Sequence, residues 1–226
     1  AADVIKSKYN VKIPISGGVF TVKKIIAVIM ALACIVCVFA SCGKKDDTPK
    51  ELTSGDYTYV VLEDGTVKIT KYNGTSDEIE RDLPSEIDGK TVTVIGKEAF
   101  AGAEGLTVVN FPTGLVKIEE RAFAESSIQK AFMYRSKSLK EIGAEAFSKC
   151  PNLVQVDMSS SLETVGEKAF FYCTKLKVAT FRGNTPNIAD FAFDACPSLV
   201  IYTKEGMDKV IAYAEKSLIE LKYLTV

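Results

Sequence analysis

The sequence predicts a repeat solenoid: five turns of about 23 residues on a short parallel β-sheet, closed by an N-terminal β-hairpin and a C-terminal helix. Three observations carry this. Ala-Phe pairs recur at Ala99-Phe100, Ala122-Phe123, Ala146-Phe147, Ala169-Phe170 and Ala192-Phe193, with spacings of 23, 24, 23 and 23. A branched aliphatic stands five residues before each Phe (Ile95, Ile118, Ile142, Val165, Ile188), and Gly follows it in three of the five turns. An apolar trio then recurs as Leu106-Val109-Phe111, Ile128-Ala131-Met133, Leu153-Val156-Met158 and Leu176-Ala179-Phe181.

The first elements concern export. Lys23-Lys24 precedes the uncharged apolar run Ile25 to Ala40, which ends in Phe39-Ala40-Ser41-Cys42-Gly43. That is the plan of a signal peptide over residues 23–41. Its last residues resemble a lipobox, in which the peptide is cut before a cysteine that carries diacylglycerol; this assigns lipidation, and a membrane anchor, to Cys42. A Phe stands where the lipobox usually has Leu or Val. Residues 1–22 fit no part of such a leader, and the initiating residue is expected near Val19 to Val22. Residues 42–56 read as a lipidated polar tether. Its Lys44-Lys45-Asp46-Asp47 resembles the surface-export signal of lipoproteins in some Gram-negative bacteria, so the chain is expected on the outer membrane, facing outward.

Residues 57–94 are assigned to an N-terminal β cap. Tyr57 to Ile69 alternates apolar and polar residues and breaks at Asp64-Gly65, as a hairpin does. Ile87-Asp88-Gly89-Lys90-Thr91-Val92 repeats the signal. Residues 95–200 form the solenoid. In each trio a spacing of three and then two puts all three side chains inside a turn that ends in a short strand. The exposed backbone groups of each turn are satisfied by the next, which stacks the strands into a parallel sheet. Residues 201–226 are the C-terminal cap: Ile201-Tyr202 opens a last strand, and Met207, Val210, Ile211, Ala214 and Leu218 follow at helical spacing as one apolar face.

The run Ile142-Gly143-Ala144-Glu145-Ala146-Phe147-Ser148-Lys149-Cys150-Pro151-Asn152-Leu153 resembles the BspA-type (Treponema-like) leucine-rich repeat, whose pattern is I-G-x-x-A-F-x-x-C-x-x-L. The resemblance extends from residue 57 to about 205. It implies a leucine-rich-repeat fold and a binding role, since family members are associated with attachment to host proteins and to other cells. The second turn departs from the pattern. It runs one residue short before Ile128 and carries Phe132-Met133-Tyr134-Arg135 where a strand and Pro are usual, so an irregularity is expected there.

Composition excludes several classes of chemistry. The 226 residues hold no His, which removes Ser-His-Asp, Cys-His and His-metal sites. Neither a phosphate-cradling glycine loop nor a calcium-loop spacing occurs. Beyond residue 41 the formal charge is −5, against a nucleic-acid partner, which would demand clustered Lys and Arg. No catalytic residue, metal or cofactor is assigned. Cys150, Cys173 and Cys196 share one repeat position, held by Ala103 and Ser126 in earlier turns, and read as small buried thiols rather than disulfides. Cys34 and Cys37 lie in the leader.

Between the core positions the strands carry columns expected to project outward. One is Val108, Lys130, Gln155, Val178; the next is Asn110, Phe132, Asp157, Thr180, continued by Tyr134 and Arg182. Aromatic side chains set among charges suit recognition. Lys130, Phe132, Tyr134, Gln155, Asp157 and Arg182 are the candidate ligand-binding residues, with Phe132 and Asp157 expected to be replaceable at little cost in stability. The expected function is an adhesin-like surface module whose partner is a host extracellular protein or another bacterial surface component. A structural or assembly component of the envelope is the alternative, followed by an accessory glycan-handling protein.

Overall fold

The computed structural model describes residues 49–74 and 80–224. Residues 48–226 form one compact unit, whose core its own residues close at both ends. The leader, residues 1–22 and Cys42 lie outside the described residues. Among the described residues no helix is long and apolar enough to cross a membrane.

Each turn contributes two short strands, so the solenoid carries two sheets where the repeat pattern suggested one. The first sheet opens with β1 (Leu52–Ser54), β2 (Tyr57–Val61) and β3 (Val67–Tyr72), mutually antiparallel. From β3 the pairing turns parallel through β6 (Lys90–Ile95), β8 (Lys117–Ile118), β10 (Glu141–Ile142), β12 (Thr164–Val165) and β14 (Asn187–Ile188). β5 (Glu86–Ile87) folds back antiparallel on β6. The second sheet is parallel throughout: β4 (Glu80–Asp82), β7 (Val108–Asn110), β9 (Lys130–Phe132), β11 (Gln155–Asp157), β13 (Val178–Thr180), β15 (Val200–Thr203) and β16 (Glu220–Tyr223). Its seven strands, one per turn, make the solenoid about seven turns long rather than five. The branched aliphatics at Ile118, Ile142 and Val165 are the inward residues of the two-residue strands.

The core is built of columns that run along the stack. Phe100, Phe123, Phe147, Phe170 and Phe193 stack nearly parallel, with consecutive ring centroids 4.7, 5.0, 5.2 and 4.8 Å apart. Each such contact adds about 0.5–1.5 kcal/mol to simple burial. The glycine after the branched aliphatic has a steric cause. A Cβ on Gly166 would sit 2.5 Å from the backbone nitrogen of Ala144, and one on Gly143 would sit 2.8 Å from the carbonyl carbon of Glu119. The cysteine column is buried and reduced. Cys150, Cys173 and Cys196 donate their thiols to the carbonyls of Phe123, Phe147 and Phe170 at 3.1, 3.0 and 3.2 Å. One small donor per turn thus bonds the turn before it.

Surface charges link consecutive turns. Glu98, Arg121, Glu145 and Lys168 occupy one left-handed backbone position per turn, with φ of 57, 55, 53 and 56° and alternating sign. Arg121 bridges its neighbours, 3.0 Å from Glu98 and 3.0 Å from Glu145. A slip of one turn would set like charges together.

The caps match the sequence reading in kind and differ in extent. The first hairpin turns over Leu62 to Thr66, with Gly65 at φ 81° and the Asp64 carboxylate accepting the Thr66 N–H at 2.9 Å. The second turns at Asp88 and Gly89, φ 49 and 72°, the left-handed pair a two-residue hairpin needs. Hydrogen bonds from the hydroxyls of Tyr59 and then Ser54 hold the Asp88 carboxyl below its ordinary range. The segment assigned to a tether through residue 56 already contains β1, so that assignment runs too far. β4 belongs to the parallel sheet rather than to a separate cap: Leu83 is buried and donates its N–H to Asn110. Arg81 sits in register with Val109, ion-pairs with Asp56 at 3.3 Å and lies over the Tyr72 ring, covering the first turn.

At the far end α1 (Asp208–Lys216) buries Val210, Tyr213 and Ala214, with Met207 buried just before it. Leu218 is not on that face. It follows the helix at φ 55° and is 95% exposed, because the chain has already turned into β16.

Candidate functional site

The seven-stranded sheet brings the candidate columns into register. Val108, Lys130, Gln155 and Val178 pair in one row, and Asn110, Phe132, Asp157 and Thr180 in the next. Their exposure corrects the expectation that both columns project outward. Lys130 is exposed and Phe132 and Gln155 are half-buried, whereas Asn110, Asp157 and Thr180 are buried. Asp157 is therefore not a surface position that tolerates Lys at little cost.

The irregularity expected in the second turn proves to be an insertion. Five residues separate Met133 from Leu139, whereas three separate Phe111 from Leu115 and Met158 from Leu162. The corner hydrogen bonds identify the extra pair. Leu115, Leu139 and Leu162 donate their N–H groups to Pro112, Ser136 and Ser159, so these three are equivalent. Ser136 extends the column by donating its hydroxyl to the Pro112 carbonyl at 2.8 Å. Tyr134 and Arg135 are thus pushed out of the regular path, and Tyr134 stands 43% exposed above the sheet. Its ring meets that of Phe132 edge to face, with centroids 6.2 Å apart.

Beside this pair lies a depression of about 520 Å³. Phe132, Tyr134, Gln155, Asp157 and Arg182 line it, so five of the six candidates meet at one place; Lys130 is not part of the lining. Lys137, Met158 and Ser160 complete it. The sequence reading did not name these three; the two-residue excess after Met133 was the available signal for Lys137. A larger hollow of about 670 Å³ lies at the C-terminal end, between the last turn and α1, among residues that close the solenoid.

The electrostatics of the depression are unusual in one respect. Asp157 is only 9% exposed, its Oδ2 accepts a long 3.4 Å bond from Gln155 Nε2, and its Oδ1 has no hydrogen-bond partner among the described residues. A buried acceptor left unpaired costs about 1–3 kcal/mol, more when charged. The repeat breaks its period and leaves a carboxylate unsatisfied in the same place. Among the described residues no group of three or more Cys, Asp or Glu is placed to hold a metal ion.

A comparison with curated proteins finds no match. Among solved structures, the leucine-rich-repeat protein of T. pallidum is similar, with a TM-score of 0.51 and 24% identity over 78% of this chain and 100% of its own. A leucine-rich cell surface protein of Faecalibacterium prausnitzii A2-165 aligns with a TM-score of 0.46 and 20% identity over 70% of this chain and 55% of its own. The first of these shows the fold. Residues 84–200 match the BspA type leucine rich repeat region in six copies, more than half of the sequence, and the chain belongs to that family.

Proposed function

We propose that this protein is a binding module displayed outside a bacterial cell, anchored through lipid on Cys42, which attaches to a host extracellular protein or another bacterial surface component through its seven-stranded sheet. The observation that carries the reading is the meeting of Phe132, Tyr134, Gln155, Asp157 and Arg182 around one depression, where the repeat also departs from its period. Paired aromatics beside mixed polar groups are the composition of a recognition patch. A parallel sheet built from successive turns supplies a continuous face of the sort solenoids use for ligands. The leader and the lipobox-like Phe39-Ala40-Ser41-Cys42 support export and anchoring.

The test is a binding screen of residues 48–226 against host matrix proteins and bacterial envelope fractions, with Phe132→Ala alongside. Binding to a host protein that weakens in the variant supports the attachment role. Binding confined to envelope fractions selects the bacterial partner, and binding indifferent to Phe132 removes the face from consideration. For the anchor, Cys42→Ser in the full chain should abolish incorporation of labelled fatty acid.

A further inference from the structure

The unpaired carboxylate in the depression restricts what can fill it. Resting on the binding role proposed above, we infer that this site takes a neutral saccharide, with one pyranose ring of a glycan seated against Phe132 and Tyr134. The two rings form an apolar wall that the C–H face of a sugar can cover. Asp157 Oδ1 calls for a donor from the ligand, because an ionised carboxylate only accepts. Lys137 and Arg182, on the rim, only donate and call for acceptors. Gln155 does both.

Charge decides among ligand classes. A lone cation would satisfy Asp157 but face Lys137 and Arg182. A lone anion would satisfy those two but sit against a nine-tenths-buried carboxylate that no described cation pairs with. Adjacent hydroxyls of a sugar donate and accept at once, carry no net charge and leave a C–H face for the aromatics. The volume of about 520 Å³ lies in the range of small-molecule sites and suits one or two rings rather than a protein loop.

The test measures binding of residues 48–226 to immobilised neutral oligosaccharides ending in hexose or N-acetylhexosamine. One arm draws these from animal glycoproteins and the other from bacterial envelope polysaccharide. Sialylated and sulfated oligosaccharides and an enzymatically deglycosylated matrix protein complete the set. The expected result is a preference for neutral sugars in one arm, weakened by about ten-fold or more in Phe132→Ala and in Asp157→Asn. Tyr172→Ala, outside the depression, should leave it unchanged. Preference for the acidic sugars overturns the inference. So does Phe132-dependent binding to the deglycosylated protein, although that result upholds the binding module. Neutral-sugar binding untouched by either variant overturns the site, and no Phe132-dependent binding to any probe overturns both readings.

Discussion

Phe193 donates its backbone N–H to the phenolic oxygen of Tyr213 at 3.1 Å, and the two rings meet edge to face at 6.1 Å. In the four turns before, the same N–H goes to a carbonyl one turn on: Phe100 to Ala122, Phe123 to Ala146, Phe147 to Ala169 and Phe170 to Ala192, each at 2.7 Å. Tyr213 therefore supplies from a helix the acceptor that a further turn would have supplied from its backbone. Tyr213→Phe keeps the ring and removes the acceptor. It should cost about 1–3 kcal/mol, lower the melting midpoint by several degrees and speed amide exchange at Phe193.

The interior of the ladder should be far more sensitive than its surroundings. Phe147→Ala removes a fully buried ring between two stacked neighbours and is expected to cost about 3–5 kcal/mol. Tyr172→Ala, at a side chain 55% exposed, should stay within about 0.5 kcal/mol. Chemical denaturation of the two variants checks the contrast.

Burial pushes the Cys196 thiol up from 9.0 to about 12, and the neighbouring Cys150 thiol together with burial raises Cys173 as well. A thiol that holds its proton longer when folded contributes stability that is complete below the unfolded value and is lost as pH rises toward the folded one. Stability should therefore fall between pH 9.0 and about 12 with a slope near 1.4 kcal/mol per pH unit from Cys196. Cys196→Ser, the residue that Ser126 already places in this column, should remove that part of the slope. The difference between the two pH profiles isolates it from Lys and Tyr titration. In the native protein all three thiols should resist a thiol reagent that modifies them after unfolding.

Much of the fold was legible because a periodic core writes itself into the sequence. Ala-Phe and the branched aliphatics mark positions that only one kind of side chain can fill when turns stack, and the cysteine column was readable for the same reason. The ends were less so. β4 has Arg81 at the aliphatic position, and only Leu83-Pro84, echoing Phe111-Pro112, betrays it as a turn. β16 follows a helix, so periodicity does not reach it. The sheet that runs through β6, β8, β10, β12 and β14 was the harder one to read, because each of its strands after β6 has two residues, too short to show alternation. Phe132, Gln155 and Asp157 could be placed together from register alone, since columns follow from period; burial could not, which is why Asp157 proves buried where an exposed position was expected.

Asp157→Val replaces an unsatisfied buried acceptor with a side chain suited to a strand, and should stabilise the protein by about 1–3 kcal/mol. The same change should abolish recognition at the depression. Thermal unfolding and binding would then move in opposite directions, whereas a purely structural Asp157 would lose stability on substitution.

The most direct measurement deletes Tyr134 and Arg135 together, giving the second turn the same three-residue spacing that separates Met158 from Leu162. The deletion should leave the circular dichroism spectrum and the melting midpoint as they were, or raise the latter, while binding through the seven-stranded face disappears. A folded deletion variant that binds as tightly as the parent would show that the interruption of the repeat, with the depression it shapes, is not where this protein meets its partner.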